Sequence, residues 1–225
     1  MSEYLILLLL TVSIPLLYSF EKRVQYFRKW PALFKAIFLT LIPFIIWDIH
    51  FTHLGIWHFN HSYTGSMVLA GLPLEEWLFF IIIPYSCLYI YMWVCYFRNN
   101  KPGSYTSLTS RLLGAAGMIL LLLALQFHEK SYSLVVFGSL GFILILIRYL
   151  RPVYLVNFLI TFLIVKIPFF IVNGYLTSKP IVLYNNQENL GIRILTIPIE
   201  DVFYNFLLLL INVTLFEIFL RSDDR

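Results

Sequence analysis

Charge is scarce in this 225-residue chain. Asp, Glu, Lys and Arg make up 12% of it, and hydrophobic residues make up 60%. A domain that must cover itself against water usually carries roughly 25% charged residues, so a soluble globule is excluded. Cysteine is scarce as well. Cys87 and Cys95 lie in one apolar run, where a helix would hold them about 12 Å apart, too far to bridge, so they carry no information about redox compartment. The G-x-G-x-x-G, P-loop, G-x-S-x-G and H-E-x-x-H patterns are also missing, which leaves no dinucleotide, nucleotide, serine-hydrolase or zincin signature. Residues 1–20 are apolar with an acidic start and no small-residue cleavage pattern. They read as a first membrane span rather than a signal peptide.

What the chain does contain is apolar helix. At about 20 residues per span, its length allows six to eight spans and little else. Seven are predicted: residues 4–20, 32–47, 73–97, 112–127, 133–147, 153–172 and 198–220. The expected fold is therefore an all-α integral membrane bundle. Lys22, Arg23, Arg28, Lys29, Arg98, Lys101, Arg111, Arg148, Arg151, Arg221 and Arg225 fall on one side of these spans, against Lys130, Lys179 and Arg193 on the other. By the positive-inside rule, this bias puts the N-terminus outside and the C-terminus in the cytoplasm, in a cell membrane of bacterial inner-membrane type. The net charge of +4 is spent on orienting helices and implies no nucleic-acid partner. The two long loops, residues 48–72 and 173–197, both face outward. They are too apolar for solvated loops and are expected to fold back over the bundle mouth.

Shifted by 125 residues, the sequence lies over itself without a gap. Pro43-Phe44 meets Pro168-Phe169, Asp48 meets Asn173, Thr52 meets Thr177 and Asn60 meets Asn185. Pro73-Leu74-Glu75-Glu76 meets Pro198-Ile199-Glu200-Asp201, Phe79 meets Tyr204, and Arg23 meets Arg148. Matches of Pro, Thr, Asn and Glu carry weight in so apolar a chain. The register divides the chain into a three-helix unit (1–97), a connector helix (98–132) and a second three-helix unit (133–225). Because the connector restores the direction of travel, the two units are parallel. The interface of such repeats is a usual place for a site.

Each acidic motif stands where a loop enters a helix. Proline at the first helical position and carboxylates in the first turn suit a helix N-terminus on their own account, and a duplication would copy them passively. Yet the two copies have otherwise drifted, and both keep two adjacent acids. Carboxylates at membrane depth must be hydrated, protonated or paired. If the units face one another, Glu75, Glu76, Glu200 and Asp201 converge as an acid–base set, one neutral and able to donate a proton, a neighbour ionised and able to accept one. Phe79, Phe80, Tyr204 and Trp47 supply aromatic faces that favour positive charge, although many aromatics in this chain must be packing or belt residues. Asp48 and Asn173 are polar candidates at the ends of spans two and six.

The remaining candidates are bland. His50, His53, His58 and His61 match no metal-ligand spacing, and their counterparts are Tyr175, Ser178, Leu183 and Asn186, so no metal is expected. Glu217 and Arg221 form a helix-end pair. Lys166 either snorkels or counters an acid.

The duplicated P-L-E-E-W-L-F-F and P-I-E-D-V-F-Y, in a chain of this span count, resemble the membrane-embedded, non-flavin lycopene cyclase domain, in its fused form. The resemblance covers residues 4–220. It implies cyclisation of the ends of lycopene to β-rings with no net redox change, hence no cofactor, and catalysis by Glu75, Glu76, Glu200 and Asp201. Trp47, Asp48, Phe79, Phe80, Asn173 and Tyr204 would line the substrate. Expected partners are the carotenoid, membrane lipid, and further copies of the chain or other carotenoid enzymes. Asp201 standing where the first copy has Glu76 implies that the two units are not equivalent. Two other readings compete: a small-solute or proton-coupled carrier with a hydrated path open to each side, and an assembly protein whose acids only cap helices.

Overall fold

The computed structural model describes residues 1–98, 106–150 and 152–223. Among them are seven helices long and apolar enough to cross a membrane: α1 (Glu3–Leu17), α2 (Trp30–His53), α3 (Leu74–Phe97), α4 (Thr106–Gln126), α5 (Ser131–Leu150), α6 (Leu155–Ser178) and α7 (Ile199–Asp223). The protein is an all-α membrane bundle. Six very short strands decorate one end: β1 (Trp57–Phe59), β2 (Val68–Leu69), β3 (Leu72–Pro73), β4 (Val182–Tyr184), β5 (Arg193–Ile194) and β6 (Ile197–Pro198). The charged turn at 98–105 and Arg151 lie partly or wholly outside the described residues.

The two halves are built alike, bond for bond. In the first, the Leu74 amide donates to the Met67 carbonyl at 3.0 Å and the Ile56 amide to Phe51 at 3.0 Å; in the second, Ile199 donates to Ile192 at 2.9 Å and Ile181 to Leu176 at 2.9 Å. Each pair is separated by the predicted register. The halves also complete one another. β1 pairs antiparallel with β4, with His58 opposite Leu183 at the centre. Asn60 donates to the Ile181 carbonyl at 2.9 Å, and Asn185 donates to that of Ile56 at 2.8 Å. These bonds exchange under the 125-residue shift, so a pseudo-twofold axis runs through the His58–Leu183 pair.

Two expectations need correction. First, the two long loops are shorter than the sequence implied. α2 runs on to His53 and α6 to Ser178, so Asp48 and Asn173 sit inside helices. The polar residues there keep helical geometry, and the Thr177 hydroxyl donates back to the Asn173 carbonyl at 2.8 Å, a bond open to Ser and Thr within a helix. Second, the gapless shift fails at the start of the first helix. Tyr4 and Tyr132 donate their amides to the corresponding carbonyls of Tyr63 (3.3 Å) and Glu188 (2.9 Å), yet they lie three positions further apart than the register allows.

α4 packs along α5 through two glycines. A Cβ on Gly117 would stand 2.8 Å from the Gly141 carbonyl oxygen, and a Cβ on Gly141 would stand 2.8 Å from that of Gly117. Small residues of this kind let membrane helices approach closely where no hydrophobic force drives them together. Replacing Gly117 by Val forces the helices apart and should destabilise the fold by about 1–3 kcal/mol, measured as a lower midpoint in SDS titration of the purified protein.

Candidate active site

Adjacent residues on a helix point about 100° apart, and this separates the two acids of each motif. Glu75 turns toward its own loop, accepting from the Gly65 amide at 2.7 Å and from the Ser2 hydroxyl. Glu200 repeats this, accepting from the Leu190 amide at 2.8 Å and the Ser133 hydroxyl at 2.6 Å. Both brace the loop that precedes their helix. The second acids, Glu76 and Asp201, turn inward to a cavity of about 60 Å³. The four carboxylates therefore do not meet as one set: two line the cavity and two tie down its loops.

The cavity lies on the pseudo-axis. Tyr4 and Tyr132, Asp48 and Asn173, Trp57 and Val182, Phe59 and Tyr184, Glu76 and Asp201, Phe79 and Tyr204, and Phe80 and Asn205 all line it as corresponding pairs. Each inward acid is held by tyrosine. The Tyr4 hydroxyl donates to Glu76 at 2.6 Å, and the Tyr132 hydroxyl donates to Asp201 at 2.6 Å. Asp201 gains a second donor, Tyr184, at 2.8 Å. Tyr184 lies outside the spans. Burial against the cavity wall, followed by the charge of Asp201, raises its pKa well above the tyrosine range, so it stays a neutral donor.

The first half answers with a third carboxyl. Asp48 accepts from the Trp57 indole at 2.6 Å and lines the same cavity as Glu76. Its counterpart Asn173 cannot do the same, so the cavity has an acid-rich side and a tyrosine-rich side. Asp48, Glu75, Glu76, Glu200 and Asp201 are all nearly inaccessible. Of the predicted substrate residues, Asp48, Phe79, Phe80, Asn173 and Tyr204 line the cavity. Trp47 stands behind it, its ring 5.1 Å from that of Tyr204.

Sequence reading missed three residues, Tyr4, Tyr132 and Tyr184, and took Trp57 only as one of the aromatics of the first long loop. Tyr4 stands opposite Glu129 in the gapless register, which hides its equivalence to Tyr132. Trp57 and Tyr184 have the counterparts Val182 and Phe59, so the duplication gave no hint of either. Lys166 is placed in α6 against Asn205 and two aromatic rings. Its ammonium donates to Asn205 at 2.9 Å and lies 3.9 Å from the ring centres of both Phe162 and Phe169, a cation–π setting. At the opposite end, Glu217 pairs with Arg221 at 3.8 Å as expected and also accepts from Tyr91. Cys87 and Cys95 are free and buried.

An apolar groove of about 260 Å³ between α1, α3 and α6 shares Phe79, Asn173 and Asn205 with the cavity. The cavity itself offers about the volume of two water molecules, so a larger guest must widen it or extend into the groove. Removing a hydrogen-bond donor from a buried carboxyl leaves that carboxyl short of a partner. Tyr132→Phe and Tyr184→Phe should each lower stability by about 1–3 kcal/mol, measured by SDS titration against the wild-type protein.

A family model described as lycopene cyclase matches residues 2–94 and 129–219, the two repeated units without the connector. No curated protein and no solved structure matches the chain.

Proposed function

Because the chain belongs to the lycopene cyclase family, we propose that it closes the linear ends of lycopene to β-rings by acid–base catalysis, with Glu76, Asp201 and Asp48 as the proton-handling groups. The observation that carries this reading is three carboxyls on one small, aromatic-walled cavity that adjoins an apolar groove. In the reaction, a carboxylic acid gives a proton to the terminal double bond and leaves a tertiary carbocation. An internal double bond attacks that carbon and closes the six-membered ring. The cation moves into the ring, and loss of a neighbouring proton to a carboxylate restores neutrality. One proton enters and one leaves, so no electrons are needed from outside.

The residues suit these steps. Two carboxyls buried on one small, aromatic-walled cavity disfavour each other's ionisation, so Asp48 and Glu76 are the pair that supplies an acid in this reading. Asp201, with two tyrosine hydroxyls donating to it, is arranged as the carboxylate that stabilises the cation and takes the departing proton. Phe79, Phe80 and Tyr204 turn ring faces and edges toward the cavity, and aromatic faces attract cations. Glu75 and Glu200 are positioning residues in this reading, since they hold the loops that seat Glu76 and Asp201. The apolar groove supports a cyclase over a carrier, which would need a hydrated path. We place the carboxyl end of the bundle on the outer side of a bacterial cell membrane, from the distribution of Lys and Arg.

Expression in cells that accumulate lycopene should yield β-carotene or its monocyclic precursor on pigment extraction. Unchanged lycopene despite verified membrane insertion would sink the proposal. Glu76→Gln and Asp201→Asn should each lower the cyclisation rate by about 100-fold or more, the usual contribution of a positioned acid or base. Glu75→Gln and Glu200→Gln should cost less activity and more stability. Wild-type rates in both of the first two variants would refute the assignment.

A further inference from the structure

The pseudo-axis relates two grooves that leave the carboxyl cavity, and they differ. The groove between α1, α3 and α6 is open and almost wholly apolar, with Ile14, Ile83, Val172 and Asn205 on its walls. The corresponding space lies between α5, α7 and α2. There Trp47 stands in the place of Val172, and Phe80 in the place of Asn205. The Trp47 ring packs 5.8 Å from Phe44, 5.5 Å from Phe51 and 5.1 Å from Tyr204. Phe44 and Phe80 are both only 2% exposed. This space is filled with aromatic rings. The filling is not optimal for packing alone, since the buried Trp47 indole N–H has no acceptor, a cost that a phenylalanine there would avoid.

We propose that the α1/α3/α6 groove is the single berth for the polyene chain and that Trp47 closes its counterpart, so that the protein cyclises one end at a time and releases the half-cyclised product between rings. This rests on the cyclase reading. A linear carotenoid with one end among the carboxyls must lay the rest of its length along the open groove and out into lipid. Only one approach leads to the cavity, so the second end reaches it after the chain has withdrawn and turned round. During that reversal the one-ringed molecule mixes with the bilayer.

The test uses the purified full chain in phospholipid vesicles. A pulse of labelled lycopene is followed by excess unlabelled lycopene. The labelled one-ringed product should appear first, and the chase should cut label in the two-ringed product several-fold. Ile14→Trp changes a residue that is 63% exposed at the groove mouth, where folding is not at risk, and should slow the first ring about 10-fold. Leu9→Trp, on the same helix at 45% exposure and on the face turned away from Thr11, Ile14 and Pro15, should not.

A diazirine-bearing polyene gives a readout independent of turnover. It should label Ile83 and Ile90 in the wild type, in competition with lycopene. In Trp47→Val it should also label Leu215, the counterpart of Ile90. Three results would each overturn the single berth: two-ringed product indifferent to the chase, an Ile14→Trp variant as fast as wild type, or equal labelling of both grooves in the wild type. A protein that forms no ring in any arm would overturn the cyclase reading instead, and the labelling pattern would still decide between one groove and two.

Discussion

A carboxyl group placed in the apolar interior of a membrane protein must find donors, another carboxyl or a cation. This requirement organises the end of the bundle that carries the short strands. Five carboxyls are buried there, and each has a partner from a different part of the chain: Ser2 and Gly65 for Glu75, Tyr4 for Glu76, Ser133 and Leu190 for Glu200, Tyr132 and Tyr184 for Asp201, and Trp57 for Asp48. The starts of α1 and α5, the loops before α3 and α7, and the crossed β1–β4 ribbon are all held by these bonds. The small strands are short because their task is to carry donors rather than to build a sheet.

Duplication made the frame, and divergence made the site. The main-chain bonds of the two loops still superimpose, but the side chains at corresponding positions have separated in kind. One side of the axis has Asp48, Trp57 and Glu76; the other has Asn173, Tyr184 and Asp201. A symmetric pair of acids would have equal proton affinities and no direction of transfer. An amide at Asn173 where the first half has Asp48, and a second tyrosine hydroxyl on Asp201, give the two inward acids different surroundings.

Much of this was legible in the residues. The low charge and the apolar runs gave the span count, and the repeated Pro-x-Glu-Glu/Asp gave the matching helix starts and their acids. The helix extensions to His53 and Ser178 were not legible, because Asp48, His50, Thr177 and Ser178 look like loop residues until the helix geometry that houses them is known. The tyrosine donors were hidden by a local change of register at the start of the first helix. The division of labour between Glu75 and Glu76, in contrast, was open to inference. Neighbours on a helix cannot face the same point, so one acid of each pair had to turn elsewhere. Tyr184 left no trace and Trp57 showed only as a loop aromatic, since each has an apolar counterpart and the pairing of β1 with β4 is what brings them to the cavity.

The reciprocal ribbon also bears on how the protein is made. The chain enters the membrane from its N-terminus, and β1 has no strand to pair with until residues 182–184 have been synthesised. The bonds that Glu75 makes to Ser2 and to the loop before α3 all lie within the first half and can form early, whereas those of the ribbon cannot. Closure of the ribbon is then a late step of assembly, and the chamber takes shape only when the last helix has been inserted. A ribosome that stops early leaves a bundle with its acids buried and no room prepared for a guest.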